Sequence, residues 1–220
     1  MTMNAGPSVA TFGLVVLDVD STLIENEVIE LLAAQAGSFD IVADVTARAM
    51  RGEIDFAESL RQRVATLRGL TTSHLAAVSE QIAVTRGVPE LVRVVHENGG
   101  HVGVVSGGFH EILDPLATSL GLDFWRANRL EVSDGQLTGR VTGPIVDALA
   151  KADALREWAR QLGLTLEHTV AVGDGANDLE MMRISGLSIA FDAKPIVVEH
   201  ADVAIVERDL SRVLDYMGLR

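Results

Sequence analysis

Residues 14–22 read Leu14-Val-Val-Leu17-Asp18-Val-Asp20-Ser-Thr22, an aliphatic run that passes directly into two aspartates. A short run of this kind is typical of a strand that is buried on both faces of a parallel sheet. Because strand side chains alternate with a period of two, we expect Asp18 and Asp20 to point to the same side. The stretch therefore predicts an α/β fold with polar groups at the end of its first strand.

Two further aliphatic runs lead into polar residues in the same way. Residues 102–105 precede Ser106-Gly107-Gly108, and residues 170–172 precede the segment 173–178, which reads Gly-Asp-Gly-Ala-Asn-Asp. The carboxyl ends of parallel strands share one edge of the sheet, where ligands of open α/β folds bind. The three polar patches are therefore expected to converge on one small anion.

Between the first and second strand signals the sequence has helical spacing. Apolar residues recur there at intervals of three and four, and glycines punctuate the segment. We predict an all-helical cap over 23–83, inserted in a Rossmann-like parallel-sheet core formed by residues 9–22 and 84–220, with helices on both faces. Ser133-Asp134-Gly135, between alternating apolar runs, predicts a β-hairpin.

Composition limits the classes of partner. The formal net charge of -13 over 220 residues argues against nucleic acid or an anionic membrane surface. The absence of cysteine excludes disulfides and thiolate chemistry. No apolar stretch approaches membrane-spanning length, and residues 1–8 lack the basic start and apolar run of a signal peptide. We therefore expect a soluble cytoplasmic protein; its oligomeric state is not predicted.

The polar patches suit phosphoryl transfer. Aspartate is a known phosphate-accepting nucleophile, so Asp18 is the candidate nucleophile and Asp20 the neighbouring carboxylate that handles protons. A carboxylate about 4 Å from a phosphate dianion is repelled by roughly 8 kcal/mol at an effective dielectric constant of about 20, so the site must contain cations. Lys151, at the start of a helix predicted over about 151–162, supplies one, and Asp174 supplies an oxygen ligand of the kind that Mg²⁺ prefers.

The remaining polar residues of the patches suit anion binding and ligand orientation. Ser106 and the amides of Gly107 and Gly108 can bind phosphate oxygens, since glycine lets the backbone approach closely. Asn177 and Asp178, at a predicted helix start, can orient ligands. Each patch alone also suits a turn, a helix cap or a solvated charge. Their joint occurrence after three buried strands favours a catalytic site.

Together these patches and Lys151 resemble the four motifs of the haloacid dehalogenase superfamily of phosphatases, and the likeness covers nearly the whole chain. The stretches that resemble the phosphoserine-hydrolysing members of this superfamily are residues 56–64, 127–130, 134–139 and 193–195. The resemblance implies hydrolysis of O-phospho-L-serine to L-serine and phosphate through an aspartyl-phosphate, the last step of serine biosynthesis. It implies Asp18 as nucleophile and Asp20 as general acid and base.

The same resemblance implies which residues bind the metal and the phosphate. The implied ligands of Mg²⁺ are the side chains of Asp18 and Asp174 and the main-chain oxygen of Asp20. The implied phosphate-binding residues are Ser106, Gly107 and Lys151, with Asn177 also at the substrate.

In the cap, the resemblance implies that Glu27 and Arg63 recognise the amino-acid part of the substrate, with Met50 and Phe56 as apolar contacts. A planar guanidinium pairs well with a carboxylate, and a carboxylate suits an ammonium. From the residues alone, Glu25 is an alternative to Glu27. Arg61 and Arg68 are likewise alternatives to Arg63.

Two other kinds of function share this sequence pattern. A phosphotransferase, or a phosphatase for another small phosphomonoester such as phosphohomoserine, would have the same core residues and differ in the cap. A non-catalytic phosphoamino-acid sensor would lack Asp18, Asp20, Lys151 or Asp174, and all four are present.

Overall fold

The structure, a computed structural model, describes residues 12–220, so the first residues of the predicted core segment, 9–11, lie outside it. Its strands are β1 (Leu14–Leu17), β2 (His101–Phe109), β3 (Phe124–Ser133), β4 (Gln136–Thr142), β5 (Thr169–Gly173), β6 (Leu187–Phe191) and β7 (Val203–Ile205). They form a sheet in the order β4-β3-β2-β1-β5-β6-β7, parallel except for the pairing of β3 with β4.

The central position of β1 sets the place of the site. It pairs with β2 on one side and β5 on the other, and the register aligns Leu17 with Val104 and with Val172. The chain therefore leaves these three neighbouring strands at one edge of the sheet, where the order of strands reverses direction. This is the edge at which open α/β sheets bind ligands. The predicted α/β fold is confirmed.

Helices cover both faces of the sheet. They are α1 (Val28–Ala36), α2 (Phe39–Met50), α3 (Phe56–Ala65), α4 (Thr72–Ser79), α5 (Val88–Glu97), α6 (His110–Leu120), α7 (Ala148–Gln161), α8 (Leu179–Met182), α9 (Pro195–Val198) and α10 (Val213–Met217). Val15 and Leu17 are buried in a cluster with α5, α6 and α10, whereas Leu14 and Val16 are buried in a second cluster with α7 and α8. Such aliphatic side chains each contribute about 1.5–3 kcal/mol when buried. Among the described helices, none has the length and apolar character needed to cross a bilayer.

The inserted segment contains α1 to α4, as the helical spacing predicts. An antiparallel bridge between Ile24 and Val84 joins its two ends. The β3–β4 hairpin contacts it at a further place, because the backbone N–H of Gly69 donates to the Leu137 carbonyl at 2.9 Å. The division of the chain into two domains at residues 23 and 83 stays a prediction.

The predicted β-hairpin is present, and its two-residue turn is Asp134-Gly135. Asp134 and Gly135 have φ values of 50° and 75°. Positive φ at both central residues defines the type I′ turn, which matches the twist of the flanking strands.

Two element boundaries differ from those that the sequence predicts. Helix α7 begins at Ala148, before Lys151, because the Asp147 carboxylate accepts from the Ala150 N–H at 2.9 Å and caps the helix. Strand β2 continues past Val105 to Phe109, with a shift of register against β3 between these two residues. The serine and glycines of the second patch therefore lie in an irregular extension of the strand.

Candidate active site

The segment after β1 holds two carboxylates at the edge of the sheet. Asp18 is buried and Asp20 is half-buried. Ser21 has a φ of 56°, in the left-handed region, and the N–H of Ile24 then donates to the carbonyl of Val19 at 3.0 Å. This tight reversal keeps both aspartates at the strand end.

Lys151 forms a buried ionic cluster with two aspartates. Its Nζ lies 2.7 Å from Asp18 Oδ1 and 2.8 Å from Asp178 Oδ1, and its side chain is 1% exposed. Burial alone would lower the pKa of Lys151, but the carboxylates of Asp178 and Asp18 raise it above its ordinary value. The lysine therefore carries a fixed positive charge next to the predicted nucleophile.

The Asp20 carboxylate accepts hydrogen bonds from two different elements, α1 and β2. Its Oδ1 accepts from the N–H of Val28, the first residue of α1, at 2.7 Å, and its Oδ2 accepts from the Ser106 hydroxyl at 3.2 Å. Burial, followed by the negative fields of Glu27 and Asp18, raises the pKa of Asp20 to about 7. A carboxyl group that is partly protonated near neutral pH can both donate and accept a proton, which suits a general acid and base.

Three carboxylates could hold a metal ion. One oxygen from each of Asp18, Asp174 and Asp178 lies within 4.8 Å of the others. Asp178 is the least suited of the three to bind a metal, because both of its oxygens have partners. Its Oδ1 binds Lys151, and its Oδ2 accepts from the Gly175 N–H at 3.1 Å. Burial and the charge of Asp18 raise the pKa of Asp174, which means that its ionised form is disfavoured. A divalent cation would stabilise the ionised form. The donor set of carboxylate oxygens fits a hard cation at Asp18 and Asp174.

A cavity of about 470 Å³ joins these groups to the cap. The predicted site residues that line it are Asp18, Asp20, Glu27, Arg63, Gly107, Asp174 and Asn177. Ser106 and Lys151 are buried beside it and contact Asp20 and Asp18 respectively. The structure thus brings these nine predicted site residues together, while their individual roles stay predictions.

The cavity distinguishes between the charged residues that the sequence left as alternatives. Arg63 is half-buried and lines the cavity, whereas Arg61 and Arg68 are exposed and do not. Burial lowers the pKa of Arg63, and the carboxylates of Glu27 and Asp20 oppose this. An unfavourably desolvated guanidinium is suited to pair with an incoming carboxylate.

Glu25 and Glu27 are both exposed, but of the two it is Glu27 that lines the cavity. The Glu27 Oε1 accepts from the Ser21 hydroxyl at 2.7 Å. Desolvation and the nearby charges of Asp174 and Asp18 raise the pKa of Glu27, although solvent still reaches its side chain. Glu27 is therefore the better candidate for binding an ammonium group.

The apolar side of the cavity is only partly predictable from the sequence. Phe56 lines it and lies so close to Gly107 that a Cβ at that glycine would be 2.9 Å from the ring. The Met50 side chain lies outside the described part of the structure. Lining residues that sequence reasoning missed are Ile29, Thr46, Ala49, Ile54, Leu60 and Ile196. Their helical or short apolar spacing is the same as that of ordinary core residues.

An aspartate, a buried lysine and further carboxylates at the switch point of a parallel sheet are the arrangement of one class of hydrolase. The chain belongs to the haloacid dehalogenase-like hydrolase family, whose profile matches residues 15–183. Within that family the chain is similar to phosphoserine phosphatases, so the resemblance inferred from the motifs is confirmed.

Two relatives and one solved structure illustrate the similarity. The phosphoserine phosphatase of Mycobacterium tuberculosis is 53% identical over 206 residues, which are 94% of this chain and 50% of the relative. The chain thus spans about half the length of that protein. The phosphoserine phosphatase of Streptococcus thermophilus is 51% identical over 93% of this chain and 95% of its own length. A solved phospho-aspartyl intermediate analogue of phosphoserine phosphatase matches with a TM-score of 0.87 and 44% identity, over 93% of this chain and 98% of that one.

Proposed function

We propose that this chain is a Mg²⁺-dependent phosphatase that hydrolyses O-phospho-L-serine to L-serine and phosphate. The observation that carries the proposal is one cavity that is lined by Asp18 and by two residues of the predicted cap, Glu27 and Arg63. Phosphoserine has a phosphate, an ammonium and a carboxylate, and each has an oppositely charged or hydrogen-bonding partner in this cavity. The similarity to phosphoserine phosphatases over most of the chain supports the same substrate.

In the first step, a carboxylate oxygen of Asp18 attacks phosphorus and the bond between phosphorus and the seryl oxygen breaks. Protonated Asp20 donates its proton to that oxygen, and L-serine leaves. The charge of Lys151 offsets the repulsion between Asp18 and the phosphate. Ser106 and the backbone of Gly107 bind the phosphate oxygens.

In the second step, Asp20 is a carboxylate and takes a proton from water, whose oxygen attacks phosphorus. The acyl-phosphate bond breaks, which returns Asp18 to a carboxylate and releases phosphate. Mg²⁺, held by Asp18, Asp174 and the main-chain oxygen of Asp20, would neutralise charge on the transferred phosphoryl group. Asn177 lines the cavity where it can orient the substrate.

The experiment that tests this function compares kcat/KM for four phosphomonoesters, with Mg²⁺ and with a chelator. They are phosphoserine, phosphohomoserine, phosphoethanolamine and p-nitrophenyl phosphate. We expect phosphoserine to be the best substrate and the chelator to stop its hydrolysis. A preference for phosphohomoserine, phosphoryl transfer to an added alcohol in place of water, or binding without turnover would each contradict the proposal. The cytoplasmic location stays a prediction from composition.

Arg63→Ala should lower kcat/KM for phosphoserine by a factor that corresponds to about 2 to 4 kcal/mol of activation free energy. Removing one partner of a desolvated charge pair has a cost of this size. Phosphoethanolamine, which lacks only the carboxylate, should be hydrolysed as before. Arg61→Ala is the matched control, since Arg61 lies on the same helix but is exposed. Equal losses for both substrates in Arg63→Ala would mean that Arg63 supports the cap and does not recognise the carboxylate.

Asp20→Asn should slow phosphoserine turnover by about 10²- to 10⁴-fold, because an amide can neither donate the proton to the seryl oxygen nor take one from water. The amide oxygen can still accept from the Val28 N–H, so the cap contact is kept. With p-nitrophenyl phosphate, whose leaving group needs no protonation, we expect a burst of nitrophenolate and accumulation of phosphorylated protein, measured by intact mass. No burst and no phosphoprotein would assign the acid and base role to another group.

A further inference from the structure

The backbone of Gly107 and Gly108 is poorly held by the sheet. Both residues lie where β2 shifts register against β3. Glycine has no side chain to restrict rotation, so the peptide group between the two residues has little intrinsic preference for one orientation. Hydrogen bonds to side chains must therefore fix the direction in which its carbonyl and N–H point.

Asn128, on β3, provides such a contact. Its side chain is buried, with 1% of the residue exposed. Its Nδ2 donates to the Gly107 carbonyl at 2.8 Å, and its Oδ1 accepts from the Val146 N–H at 2.9 Å. Val146 immediately precedes Asp147, the cap of the helix that carries Lys151. One buried amide therefore links the two segments that carry the phosphate-binding groups.

The orientation of this peptide group reaches Asp20 through Ser106. In a trans peptide the carbonyl and the next N–H point in opposite directions, so a Gly107 carbonyl that faces Asn128 turns the Gly108 N–H away from it. That N–H donates to Ser106 Oγ at 2.7 Å, and the Ser106 hydroxyl donates to Asp20 Oδ2 at 3.2 Å. The opposite orientation would turn the Gly107 carbonyl oxygen towards these groups, where it would repel an anion.

We propose that Asn128 is a positioning residue: it fixes the peptide group between Gly107 and Gly108 in the orientation that points the N–H, and not the carbonyl, at Ser106 of the proposed phosphate site. The inference rests on the proposed function, because the ligand is the phosphate group of the substrate. Asn128 does not line the cavity and acts through Gly107.

The test uses two variants of similar size, Asn128→Asp and Asn128→Leu. Neither an ionised carboxylate nor an isobutyl group can donate to the Gly107 carbonyl. The dissociation constant of inorganic phosphate is measured by calorimetry on the Mg²⁺-loaded protein, well below the melting temperature. We expect it to increase about tenfold or more in both variants, because Ser106 would no longer be held by the Gly108 N–H and would lose its hydrogen bond to the phosphate. Hydrogen bonds to charged groups are worth about 1.5–3 kcal/mol. Phosphoserine and p-nitrophenyl phosphate should lose kcat/KM by a common factor, because they share the phosphate.

Ser188→Ala is the matched control. Ser188 is buried on β6 and its hydroxyl donates to Asp202 at 2.7 Å, so the variant loses a comparable buried hydrogen bond at another part of the sheet. It should melt at a lower temperature and bind phosphate as the wild type does. A purely structural role of Asn128 would give the same pattern in its variants, and would overturn the inference.

Other outcomes would overturn it as well. Weaker phosphate binding in Asn128→Asp alone would be an effect of added charge. If Asn128→Leu does not fold, Asn128→Ala, which also has no donor, replaces it as the uncharged variant. A wild-type protein that binds no phosphate would contradict the proposed function itself, before any variant is compared. Wild-type binding with no change in the variants would contradict only the role of Asn128.

Discussion

Asp18→Asn is expected to abolish phosphoserine hydrolysis while the protein stays folded and binds the substrate. The amide has the same shape, so its oxygen can still accept from the Val19 N–H, which lies 2.7 Å from Asp18 Oδ1. It is not a nucleophile at phosphorus. Loss of a nucleophile in a well-studied protease lowers kcat by about 10⁶-fold, and we expect a fall of at least about 10⁴-fold here.

Substrate binding separates this expectation from simple misfolding. Lys151 keeps its contact with Asp178, and removal of the Asp18 charge reduces repulsion of the phosphate dianion. The dissociation constant of phosphoserine, measured by calorimetry, should therefore not increase. Asp153→Asn, at an exposed carboxylate on α7, is the control for loss of a negative charge. Turnover within tenfold of the wild type in Asp18→Asn would rule out covalent catalysis by this residue.

The parts of the site that could be predicted are those determined by local sequence. The aliphatic runs before Asp18, Ser106 and Asp174 identify three buried strands, and a parallel sheet then requires that their ends meet. The β-hairpin at Asp134 and Gly135 was likewise predictable, because few residue pairs tolerate the two positive φ values of its turn.

The parts that could not be predicted depend on contacts between distant segments. Nothing near Asn128 in the sequence indicates that its amide donates to the Gly107 carbonyl. The choice of Glu27 over Glu25 depends on where the chain turns after Ser21, since both glutamates precede the same helix. Register shifts and loop directions of this kind are set by packing and not by local propensity.

The contacts of Asp20 link the predicted chemistry to the position of the cap. One carboxylate oxygen accepts from the first N–H of α1, and the other accepts from Ser106 of the core. A movement of α1 relative to the sheet would therefore change the hydrogen bonding of the proton-transferring group. The position of α1 therefore helps to set the orientation of the carboxyl group that we propose as the general acid.

Lys151→Met should both lower the stability of the fold and remove activity on every phosphomonoester. The lysine is fully buried between Asp18 and Asp178, at 2.7 and 2.8 Å, so its loss leaves two carboxylates without their cation. Removing one partner of a buried ion pair costs about 3–5 kcal/mol. For a chain of this size each kcal/mol lowers the melting temperature by about 2–4 °C, so we expect a fall of roughly 6–20 °C at pH 7.

The double variant Lys151→Met with Asp178→Asn separates the two roles of the lysine. It removes one of the unpaired carboxylates, so it should recover much of the lost melting temperature. Activity on phosphoserine and on p-nitrophenyl phosphate should stay lost, because the positive charge beside the phosphate is still missing. An unchanged melting temperature in the single variant would contradict the ion-pair argument. Recovery of activity in the double variant would show that another cation serves the phosphate, and Lys194, 4.0 Å from Asp174 at the cavity, would be the residue to replace next.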